Sequence, residues 1–87
     1  MTDNTRMNYQ IRTGSRYPMG ATLLADGVNF SIYSRHASSV ELLLFAAVDS
    51  HEPFQIIPLE ARLHRVFFFW SIVVIDLPAG THYAWRI

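Results

Sequence analysis

Seven carboxylates, Asp3, Asp26, Glu41, Asp49, Glu52, Glu60 and Asp76, are the residues of this chain best suited to general acid–base or nucleophilic work. Such work needs two of them facing one another across a reacting bond. No two share a motif, and most fall in turns or at strand positions that face solvent, where carboxylates ordinarily sit. The histidines, His36, His51, His64 and His82, are too scattered for a metal-binding pair. Ser34, Ser38, Ser39 and Ser71 lack the glycines of a nucleophile elbow. Cysteine is absent, so no disulfide or thiolate metal site can form. These residues predict no catalytic, metal or cofactor site. The aromatic residues remain. Trp70, Trp85, Tyr83 and Tyr33 carry flat rings with a polar edge, able to fill a core or to stack on a ligand.

The elements that must position those rings follow from composition and period. A chain of 87 residues is one domain. It is 51% hydrophobic and 16% charged, which excludes a disordered chain. Seven arginines balance seven acids without any lysine, and a net charge of zero offers no field to nucleic acid or an anionic membrane. The longest apolar run, 66–75, is broken by Ser71 and falls short of the ~20 residues a spanning helix requires. The polar N-terminus, with Asp3, does not read as a secretory signal. A soluble, cytoplasmic domain is the expectation.

From Val28 the pattern has period two: Val28, Phe30 and Ile32 share one face, and Asn29, Ser31 and Tyr33 the other. Asp26-Gly27 before it predicts a turn in which glycine accepts positive φ. Val40, Leu42 and Leu44 alternate with Glu41, Leu43 and Phe45. Residues 54–59 predict an edge strand, since Pro58 cannot donate to a ladder. Helical spacing around Leu59 and Leu63 predicts a helical turn over 59–64, and the aromatic and β-branched run predicts strand from Phe67 onward. Pro78-Ala79-Gly80 predicts a turn before a last strand at 81–87, with Tyr83, Trp85 and Ile87 on one face. The sum is an all-β, immunoglobulin-like antiparallel β-sandwich over 15–87, preceded by a flexible arm at 1–14.

The run from Arg12 to Ile87, notably Tyr17-Pro18-Met19-Gly20-Ala21-Thr22, Gly27-Val28-Asn29-Phe30, Val40-Glu41-Leu42 and Gly80…Tyr83…Arg86, resembles the N-terminal domain of glycogen-debranching enzymes and isoamylases. Those enzymes belong to the α-amylase superfamily (glycoside hydrolase family 13), and the domain to the family 48 carbohydrate-binding modules. The resemblance implies an immunoglobulin-like module packed on a (β/α)-barrel that hydrolyses α-1,6 linkages and carries the catalytic carboxylates. It also implies a further strand beyond Ile87, so the sandwich is expected to lack its last strand. Ser71 stands where the family usually has histidine, and the lysine used by glycogen-binding members has no counterpart here.

The expected function is therefore a non-catalytic accessory module in glycogen catabolism that scaffolds a catalytic barrel and contacts α-glucan, glycogen or starch, through Trp70, Trp85 and Tyr83. The alternatives are a free-standing glycogen- or starch-binding module and a gene remnant without independent activity. One feature of the residues favours an interaction face. Leu43, Phe45, Ile56, Val73 and Ile75 make both faces of their strands apolar, more than one thin core absorbs. That surplus predicts docking to a catalytic barrel or self-association.

Overall fold

The computed structural model describes residues 9–87. In them the chain forms β1 (Ile11–Thr13), β2 (Gly20–Leu24), β3 (Gly27–Tyr33), β4 (Val40–Phe45), β5 (Gln55–Leu59), α1 (Ala61–His64), β6 (Arg65–Val66), β7 (Phe69–Ile75) and β8 (His82–Arg86). All pairings are antiparallel. The larger sheet has the order β1-β7-β3-β2, with β6 also on β7, and the smaller has the order β5-β4-β8. This is the all-β sandwich expected from the sequence. Pro58 sits in β5, an edge strand, where its missing N–H costs no ladder bond.

The core lies between the layers. Val28 and Phe30 of β3, with Trp70, Ile72 and Val74 of β7, meet Val40, Leu42 and Leu44 of β4 and Ile57 and Leu59 of β5. Each is buried, and each such aliphatic side chain contributes about 1.5–3 kcal/mol.

Four local expectations differ from what is observed. Asn29 and Ser31, on the face opposite the core, are buried rather than solvated. The loop between β1 and β2 folds over them: the Asn29 carboxamide accepts from Ser15 N and donates to Ser15 O, and Ser31 Oγ donates to Arg16 O. Those bonds satisfy the polar groups that burial would otherwise penalise. Second, Ile11–Thr13 pairs with β7 and Tyr9 packs against the core, so the later part of the expected arm is structured; the earlier part lies outside the described residues. Third, β7 begins at Phe69. Phe67 and Phe68 form the turn of a tight β6–β7 hairpin, with Phe67 at φ 55°, where a non-glycine residue costs about 1–2 kcal/mol. Fourth, positive φ is found at Gly20 and Gly80 and not at Gly27.

The predicted helical turn is α1, and its geometry gives it a pH dependence. His64 Nδ1 accepts from the Glu60 N–H at 2.8 Å while His64 N donates to Glu60 O at 2.7 Å. Burial holds the imidazole pKa below its usual 6.5, against a smaller opposing pull from Glu60. The neutral ring is thus favoured in the folded chain, and the unfolded chain binds the proton more tightly. The His64 contribution is fully present above pH 6.5 and is lost as pH falls through the lowered folded value. Urea midpoints should therefore drop between pH 7 and pH 5. His64→Gln should flatten that drop, and an unchanged slope in the variant would assign it elsewhere.

The two layers do not match in width. Tyr83 of β8 lies over Phe30 of β3, with ring centroids 4.8 Å apart. Beyond β3 the larger sheet continues into β2, whose Ala21 and Leu23 oppose Phe30 and Val28 and so share their inner face. Among the described residues no strand covers them, and Leu23 is 73% exposed.

Candidate functional site

The three aromatic residues singled out from the sequence separate in the structure. Trp70 is 0% exposed, the largest of the fully buried side chains. It sits near the start of β7, flanked by Ile32 of β3 and Arg65 of β6, with the Arg65 guanidinium 5.7 Å from its ring centroid. Its Nε1–H meets no acceptor among the described residues. A ring closed off on every side presents no platform, so Trp70 is a core residue and not a ligand contact. Its apolar partners at alternate positions, Ile72 and Val74, are what draw it inward.

Tyr83 and Trp85 oppose Leu44 and Leu42 of β4 and so point inward, between the layers. They keep partial exposure because β8 is an edge strand over the narrow end of the sandwich. The two rings meet edge to face at 6.5 Å. Beside Tyr83, a shallow depression of about 300 Å³ is lined by Phe45, Val48, Ser50 and His82. These two rings border solvent without being free of the core.

Two further surfaces come together only in the tertiary structure. On the outer face of the smaller sheet, Ile56, Leu43 and Ala84 form one row across β5, β4 and β8. Phe45 lies further along β4 on the same face, while the Glu41 carboxylate accepts from Arg86 Nε at 2.6 Å at the other end. Ile56 is exposed, and Leu43 and Phe45 are half-buried. At the opposite side of the molecule, Val66, Phe69 and Tyr33 form an outer row of the larger sheet. Tyr17 joins Phe69 at 5.4 Å, and Tyr33 joins both Phe69 at 5.1 Å and Phe68 at 6.1 Å. Tyr33 was legible as a candidate. Tyr17, Phe67 and Phe68 were not, because a loop and a hairpin turn carry them to the same place, and the only sequence signal was the density of aromatic residues.

The acids among the described residues occupy ordinary surface positions. Arg12 donates from Nε and Nη2 to the Asp26 carboxylate at 3.3 and 3.2 Å, which holds that carboxyl below its usual range. Among the described residues no group of three or more histidine, aspartate and glutamate side chains is placed to hold a metal ion.

Residues 18–87 match the family described as carbohydrate-binding module 48 (isoamylase N-terminal domain). The chain is similar to a glycogen debranching enzyme of Escherichia fergusonii, 36% identical over 78 residues that cover 90% of this chain and 11% of that protein. It is 36% identical over 67 residues to isoamylase SU1, chloroplastic, of Zea mays, covering 75% of this chain and 8% of that protein. To isoamylase 3, chloroplastic, of Oryza sativa subsp. japonica it is 28% identical over 90 residues, 97% of this chain and 12% of that protein. The chain thus spans about a tenth of the length of the curated relatives it matches.

Proposed function

The chain belongs to the carbohydrate-binding module 48 (isoamylase N-terminal domain) family, and from that premise we propose that it is the non-catalytic accessory module of a glycogen-debranching, isoamylase-type hydrolase. Its role is to pack against a larger catalytic body and to help that body meet α-glucan. The observation that carries this reading is the apolar row Ile56–Leu43–Ala84 on the outer face of the smaller sheet. An antiparallel sheet with one face in the core ordinarily turns polar side chains outward. A contiguous apolar strip there marks a surface meant to be covered.

The test supplies the covering body in trans. A debranching-enzyme catalytic domain produced without its own N-terminal module should co-elute with this chain, and Leu43→Glu should weaken the complex at least tenfold, because the interface would then bury an unpaired charge. Without that body the same row meets a second copy, so sedimentation should show concentration-dependent self-association that the variant removes. A monomer at high concentration that ignores the catalytic domain would end this reading.

The half-exposed Tyr83–Trp85 pair favours a second reading, in which the module holds glucan by itself at the open β8 edge. Tyr83→Thr should then reduce retardation in a glycogen-containing gel.

A further inference from the structure

The rings at the β6–β7 hairpin are not all explained by folding. Phe69 is half-buried and ties Tyr17 to Tyr33, so these three close the end of the larger sheet's outer face. The tip differs. Phe67 is 75% exposed and holds a φ of 55°, a conformation that glycine adopts freely. A glycine would serve the turn better, and the Phe67 ring gives the core almost nothing in return. A strained residue that contributes no packing points to a use outside folding. Phe68, 38% exposed, follows Phe67 in the turn and meets Tyr33, 49% exposed, edge to face at 6.1 Å. The guanidiniums of Arg16 and Arg35 lie 5.4 and 5.9 Å from the ring centroids of Tyr17 and Phe68.

We propose that Tyr33, Phe67 and Phe68, flanked by Arg16 and Arg35, form a second sugar platform for α-glucan, distinct from the Tyr83–Trp85 pair. The proposal rests on the reading of this chain as a carbohydrate-binding module and adds a site to it. A pyranose has an apolar C–H face and a rim of hydroxyls. The exposed rings take the face, while the guanidinium N–H groups and the Tyr33 phenol reach the rim. The ligand is uncharged, so no counter-charge is required of it. Tyr33 opposes Phe69 and faces outward from the larger sheet, whereas Tyr83 opposes Leu44 and faces inward from the smaller. The two sites are on different surfaces, and mutation separates them.

Native electrophoresis of the whole chain through gels with and without glycogen tests this. Phe67→Gly suits the backbone and keeps the fold, which thermal unfolding by circular dichroism verifies, and Tyr33→Thr keeps strand propensity. Wild type should be retarded, with each variant binding about tenfold more weakly, as loss of one ring contact brings. If wild type and both variants are retarded alike, the platform is overturned while the module reading stands, since glucan then binds elsewhere. If wild type runs equally in both gels, glucan binding itself is overturned and the platform with it. If the variants alter only self-association, the patch is a protein contact and the proposal fails.

Discussion

Trp70→Ala should cost about 3–5 kcal/mol, the range for emptying a large aromatic site in a packed core. The ring is fully buried among β3, β6 and β7, so nothing but neighbouring side chains can refill the space. A domain of this length buries a smaller share of its surface than larger ones and holds only a few kcal/mol in reserve, toward the low end of the ~5–15 kcal/mol common to folded domains. The variant should therefore be largely unfolded in buffer, with the dispersed amide spectrum and cooperative melt of wild type gone. Trp70→Phe makes the cause plain. It keeps most of the volume and removes an Nε1–H that has no acceptor among the described residues, so the cavity term and the relief of an unsatisfied donor oppose each other. It should stay within about 1.5 kcal/mol of wild type. An alanine variant that melts near the wild-type temperature would show that Trp70 does not hold the layers together.

Gly27→Ala should be the next most damaging substitution, at about 2–3 kcal/mol. A β-carbon there would collide with the Val74 carbonyl oxygen and come within 3.0 Å of Ile75 Cα, both backbone atoms of the central strand β7. Backbone in the middle of a sheet cannot swing aside as a side-chain tip can, so β3 and β7 would have to separate where Gly27 pairs with Ile75. For a domain of this size the melting temperature should fall by roughly 10–20 °C. Gly80→Ala is the comparison. Its added β-carbon meets nothing within 4 Å, and only the φ of 89° penalises it, so it should cost about 1 kcal/mol. Equal losses at the two glycines would contradict the collision argument.

These two positions also show how far the sequence could be read. The period-two runs placed β3 and β4 on their correct faces, since a strand with one buried face must alternate and Val28, Phe30, Leu42 and Leu44 do so. Pro58 marked an edge through its missing N–H, and helical spacing marked a helical turn over 59–64, observed as Ala61–His64. Gly27 read as a turn glycine because Asp26-Gly27 carries that signal; its real constraint is an approach by β7, a strand more than forty residues away in the chain, which no local pattern contains. Asn29 and Ser31 read as solvent-facing for the same reason, because the segment that buries them is a loop with no periodicity. Phe67 read as strand because aromatic runs favour strands, yet the hairpin with β6 claimed it for a turn.

The sequence by itself determined the fold class, the strand faces and the family resemblance, because alternation, turn chemistry and composition act over a few neighbouring residues. Only the tertiary structure decided which rings are available. Trp70, Tyr83 and Trp85 carry the same chemistry in sequence, but one lies in the central strand of the larger sheet and two lie in an edge strand of the smaller, and strand order sets exposure. Likewise Tyr17, Tyr33 and Phe68 are remote from one another along the chain, and they share a surface because β3 and β7 pair and a loop crosses above them.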